Sequence, residues 1–279
     1  MKSAYRANVF ILLLMCVTLL GSLVFSFLYQ VFDLVPAHWV RALLQYVLLF
    51  GGTTAFFLRI TGLRLSGLGF RAPERPALSI PCTLLLAVLI QPPLLLISYL
   101  TSLIFPDPVA ASMQQIVEEP FLLSVLGSAL LPAVFEETAC RGLYLTDLSD
   151  RRPLTVAALS GLVFGFLHWN LQQLPYAFCF GFVIALTALY TKSILLPMLA
   201  HFVINLSQLI LAYRQIELFP DVRTLVTAAI ICLPLVIGLL VLLRGKDPAE
   251  GELPTRFNKE WLPLLYAALL FAAVCILLR

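Results

Sequence analysis

The chain has 279 residues, of which 61% are hydrophobic and only 12% charged, with a formal net charge of +3. A soluble domain carries about 25% charged residues, so there is too little polar material here to cover a water-facing surface. The class is membrane, and so small a charge excludes a nucleic-acid partner.

A bilayer core about 30 Å thick needs roughly 20 apolar residues per helix. In chain order, the spans read as 8–32, 38–58, 78–104, 119–146, 154–171, 174–191, 193–213, 224–243 and 260–278. The first follows Lys2 and Arg6 like a signal peptide, but its run is too long for an h-region, so it reads as a retained anchor. The fold class is all-α, a polytopic bundle of about 8–9 spans around an intramembrane cavity. Three regions are expected: 1–117, with three spans and an external loop; a catalytic core over 118–213; and 214–279, with two more spans.

Lys and Arg alternate between the connections. One set holds Lys2, Arg6, Arg59, Arg64, Arg71, Arg75, Arg151, Arg152, Lys192, Arg244, Lys246, Arg256 and Lys259, and the other only Arg214, Arg223 and Arg279. The positive-inside rule then puts the N-terminus in the cytoplasm and, with nine spans, the C-terminus outside. The link 62–76 is expected on the inner face, as a solvated loop or an amphipathic surface segment. The link 105–120 reads as the main external loop. All six cysteines fall in apolar runs without CxxC spacing and read as packing residues.

Ionisable side chains inside a span are costly and mark function by default. The fourth span carries Glu136, Glu137 and Arg141. Glu137 and Arg141 stand four apart with the acid first, the favourable order for a helical ion pair. Glu136 points about 100° away with no local cation, which nominates it as a general base and the pair as its support. The alternative is an ion-pair cluster that only fixes packing. His168 and His201 lie in two further spans; His38, near a span end, reads as interfacial and structural. Phe164 and His168 share a helix face at i, i+4, as do His201 and Asn205.

The ordered set Glu136-Glu137-xxx-Arg141, Phe164-xxx-His168 and His201-xxx-Asn205 resembles the three-motif signature of the CPBP family, which includes type II CAAX prenyl endopeptidases and Abi proteins. The resemblance spans roughly 118–210, and Cys140 departs from it where an aromatic residue is usual. It implies a glutamate-dependent intramembrane endopeptidase that cuts near the terminus of a membrane-associated or lipidated protein or peptide. On that reading Glu136 activates water, His168 helps position it, His201 and Asn205 stabilise the oxyanion, and Glu137 and Arg141 organise the site. No cofactor is then required. Zinc held by Glu136, His168 and His201 is the rival chemistry, although no HExxH helix is present. A non-catalytic scaffold or bacteriocin-immunity protein, or a proton-coupled transporter, are the other readings. The expected location is a multi-pass integral membrane protein, in the plasma or inner membrane if the source is bacterial, in contact with bilayer lipid. Counting about 1.5 Å per residue leaves Glu136, His201 and His168 roughly 16, 12 and 22 Å deep, so helices must tilt for them to meet. The cavity is expected near mid-membrane, opening to the cytoplasm.

Overall fold

The computed structural model describes residues 3–148, 151–244 and 259–277. The basic residues Lys2, Lys246, Arg256 and Arg279, counted above for orientation, lie outside them. Among the described residues every regular element is helical. Eight helices are long and apolar enough to cross a membrane: α1 (Ala4–Val31), α2 (His38–Thr61), α3 (Pro76–Ser102), α5 (Phe121–Leu148), α7 (Leu174–Thr191), α8 (Leu195–Arg214), α9 (Val222–Arg244) and α10 (Lys259–Leu277). The protein is an integral, multi-pass membrane bundle. Two shorter helices complete it: α4 (Pro108–Val117), within the link expected to be a loop, and α6 (Pro153–Phe166).

The sequence drew the fifth span to 171, but α6 stops at Phe166 after 14 residues, about 21 Å. The chain then turns through Trp169, whose φ is +52°, and the turn is held against the end of α3. Thr101 donates to the Gln172 carbonyl and Gln172 Nε2 donates to Ser98 Oγ, both at 3.0 Å. The α6–α7 hairpin therefore enters and returns at one end of the bundle. Glycines let its two backbones touch. A Cβ on Gly161 would sit 2.6 Å from the Phe178 carbonyl oxygen, and one on Gly181 would sit 2.9 Å from Gly161 Cα. Close approach of this kind replaces the hydrophobic drive that membrane helices lack.

Three helical stretches widen to π geometry: Leu44–Gly51 in α2, and Leu126–Leu130 and Thr138–Tyr144 in α5. The second immediately precedes Pro132, whose missing N–H would otherwise interrupt an α-helical ladder. In α3 the helix breaks at Ile90, just before Pro92 and Pro93.

The two ends differ in charge. At one, Arg6 pairs with Asp147, Arg151 with Glu260 and Lys192 with Glu74. The link after α2 is largely exposed but strapped onto this end at a few points. Ile194 N donates to Gly69 O, Ser193 Oγ to Arg71 O and Arg71 Nε to Lys192 O, while Leu68 is buried beneath. Gly69 takes φ +83° and lies against Ile194. The other end carries α4, and Glu119 there accepts from the backbone N–H groups of His38 and Trp39, capping the start of α2. α1 is packed into the core through Phe10, Ile11 and Leu14, and Asn8 Nδ2 donates to Glu260 O at 2.8 Å. All six cysteines are free thiols.

Candidate active site

Glu137 is fully buried at the centre of α5, where Oε1 accepts from Arg141 Nη1 at 3.1 Å and from His201 Nδ1 of α8 at 2.8 Å. An unpaired carboxylate in a dry interior costs several kcal/mol, so a cation on the next turn and a donor from a second helix are what make this position tolerable. Arg141, also with no exposed surface, spends Nη2 on the Gly181 carbonyl at 2.9 Å and stacks its guanidinium on Phe164, 4.6 Å from the ring centroid. One carboxylate thus joins α5 to α8, and one arginine joins α5 to α6 and α7.

Glu136 points elsewhere, into a cavity of about 570 Å³. Its Oε1 accepts from the Tyr46 hydroxyl at 2.9 Å, donated by the π-helical stretch of α2. Tyr46 escaped the sequence reading: a lone tyrosine in an apolar run has the signature of ordinary packing. The only available hint was that its hydroxyl, once buried, must find a partner.

His168 and His201 line the same cavity, with Asn205. His168 follows the end of α6 instead of sitting inside a helix, and this is how it reaches the others despite the depth count. Its Nδ1 lies 2.8 Å from the Phe164 carbonyl, which can only accept, so Nδ1 carries the proton and Nε2 is left as an acceptor. The same logic protonates His201 Nδ1 against Glu137. Phe164 organises both rings, with centroids 4.9 Å from His168 and 5.8 Å from His201; Phe180 holds the other side of His201 at 5.1 Å. Asn205 Nδ2 donates to Ser128 O at 3.1 Å, leaving one N–H for another acceptor. His38, expected to be interfacial and structural, lies at the cavity wall with Nε2 3.0 Å from Ser128 Oγ.

The cavity does not run toward the basic end. Its walls continue through Gln91, Ser98, Asp107, Met113 and Ile116, toward the end that carries α4. The helix in the 105–120 link, unseen in the sequence, forms that wall. The zinc set also does not assemble: among the described residues no three His, Cys, Asp or Glu side chains converge to hold a metal, Glu136, His168 and His201 included. The donors do not fit, so no step is routed through a metal.

Comparison with known proteins agrees with the motifs. The family model described as Type II CAAX prenyl endopeptidase Rce1-like matches residues 118–207. No curated protein and no solved structure matches the chain. The matched segment runs from the start of α5 to Leu206–Ser207 in α8 and includes every cavity residue named from the motifs. Over residues 118–207 the match therefore supports the CPBP and CAAX-type endopeptidase family.

Proposed function

We propose that the chain is an intramembrane endopeptidase in which Glu136 is the general base. The observation that carries this reading is that Glu136, His168, His201 and Asn205 line one cavity inside an apolar bundle. Glu136 takes a proton from water as the water oxygen attacks the scissile carbonyl carbon. The free Nε2 of His168 accepts a hydrogen bond from the same water and orients it. The developing oxyanion receives the spare N–H of Asn205 and a proton-bearing Nε2 of His201. Because His201 Nδ1 already donates to Glu137, donation from Nε2 requires the imidazolium, for which Glu137 is the counter-ion. Donors fixed in advance in a water-poor site contribute more than they would in water. Tyr46 holds the base in one orientation. The proton gathered by Glu136 then passes to the leaving amine, so the carboxylate is regenerated.

Residues 118–213 form the catalytic core, and the flanking helices enclose it. The substrate is a membrane-associated peptide segment entering from the end that carries α4. By the positive-inside rule that end faces away from the cytoplasm, so the N-terminus is cytoplasmic and the active site is reached from the opposite side.

The test compares protein termini in membranes from cells that make wild type or Glu136→Gln at equal abundance. Loss of a general base lowers the rate about 10²- to 10⁴-fold, so at least one peptide end should vanish in the variant. Identical termini, with a phenotype seen only on deleting the whole protein, would leave a scaffold.

A further inference from the structure

A second cavity, of about 700 Å³, opens at the basic end, and nothing in the proteolytic reading uses it. Arg71, Arg75, Arg141, Arg151, Lys192 and Arg244 line it, with Glu74 as the one acid. Glu74 is paired with Lys192 at 2.9 Å, and that hydrogen bond holds its carboxyl below the usual range. Among the described residues Arg71, Arg75 and Arg244 form no ion pair, although Arg71 and Arg75 lie in the field of the Glu74 carboxylate. Arg71 and Arg75 donate instead to the Lys192 and Leu243 carbonyls, so Glu74, already paired with Lys192, is the one acid against six cations in the lining.

Two donors are also unspent. Nε of Arg141 and Nε of Arg151 are buried, and neither has a hydrogen-bond partner among the described residues. Buried N–H donors are normally satisfied, so each marks a place for an acceptor. Arg141 is wholly buried, yet it belongs to the wall of this cavity. The strap over the cavity is itself amphipathic: Leu68 is buried, while Leu65 and Phe70 on either side are 57% and 39% exposed. Apolar side chains left exposed beside arginines suit the boundary between headgroups and acyl chains, not bulk water.

We propose that this cavity binds the phosphate of an anionic lipid headgroup. Guanidinium forks match phosphate oxygens in pairs, and a cationic recess at a bundle's edge is how headgroups are held from the cytoplasmic leaflet. The phosphate takes the donors that the protein leaves unused, and the acyl chains lie along Leu65 and Phe70. The assignment does not depend on proteolysis, because it concerns the opposite end of the bundle.

The full chain in neutral detergent is titrated with phosphatidylglycerol, with phosphatidylcholine and with inorganic phosphate while its thermal unfolding midpoint is followed. Phosphatidylglycerol should raise the midpoint of wild type and phosphatidylcholine should not. Arg244→Gln, which removes no hydrogen bond among the described residues, should weaken the response about tenfold, the usual worth of a charge-assisted contact. Arg71→Gln with Arg244→Gln should abolish it, and the corresponding double lysine variant should restore part of it. Arg223→Gln, which removes the same charge at the other end, should behave as wild type. An equal response in Arg244→Gln and Arg223→Gln would overturn the site, as would no response in wild type. Equal stabilisation by inorganic phosphate would overturn the lipid as the source of the anion.

Discussion

Helices α5 and α9 are both long apolar rods, of 28 and 23 residues, yet only 17% of the apolar window of α9 is buried against 50% for α5. Between Arg223 and Arg244 α9 has no charge, and Ile230, Ile231 and Val241 face outward. α5 carries Glu136, Glu137 and Arg141 near its centre and widens twice to π geometry. An apolar span needs only to match lipid, so its sequence is nearly interchangeable. A span with buried charges must supply every one with a partner, and the partners come from α2, α7 and α8. The contrast shows where this molecule's sequence is constrained by chemistry and where merely by solubility in hydrocarbon.

The contrast can be attacked first at Arg141. Arg141→Leu strands Glu137 in the core with only His201, and breaking one side of a buried pair costs about 3–5 kcal/mol. Unfolding in detergent should report a loss of this size; an unchanged midpoint would mean that Glu137 is not held by Arg141. Next comes Gly181→Ala, whose Cβ would meet Gly161 Cα at 2.9 Å, Phe164 Cβ at 3.0 Å and Arg141 Nη2 at 3.1 Å. Overpacking of this kind costs about 1–3 kcal/mol, and the same assay reads it.

Tyr46→Phe sharpens the comparison on the side of function. It deletes one hydrogen bond to a carboxylate and leaves the ring, so turnover of a cleaved peptide should fall about tenfold with the unfolding midpoint nearly kept. A fall in stability equal to the fall in rate would reduce Tyr46 to a packing residue. At the bottom of the scale, Ile231→Val on α9 should change stability by less than about 0.5 kcal/mol, as surface substitutions do. A larger change would place an unseen partner on that face.

How much of this was legible beforehand follows from the same physics. Charges inside apolar runs are conspicuous, so Glu136, Glu137 and Arg141 declared themselves, and i, i+4 spacing anticipated the ion pair found at 3.1 Å. Long apolar runs located the crossing helices. Tyr46 stayed hidden because nothing local separates a tyrosine that orients a base from one that fills space. The end of α6 was missed because Leu167 and His168 continue the apolar pattern through a turn that only the ties to Ser98 and Thr101 reveal. The basic cavity draws on the α2–α3 link, the residues around Arg151, the α7–α8 turn and the end of α9. Their approach is a product of the fold, so no stretch of sequence announces it. The run of the cavity toward α4 was not legible for a related reason, since the wall built by α4 was read as an external loop.

Arg141 belongs to the wall of the basic cavity, and its guanidinium rests on Phe164, which lines the catalytic one. The two recesses therefore share this side chain and its ring partner as neighbouring parts of their walls. A cell that stores energy as a transmembrane proton gradient has a second interest in such a residue. The positive charge repels hydronium, and the stacked pair interrupts any file of water molecules. If the chain hydrolyses peptides as proposed, water must enter the apolar bundle, and a fully buried arginine stacked on Phe164 is a barrier to its passing farther.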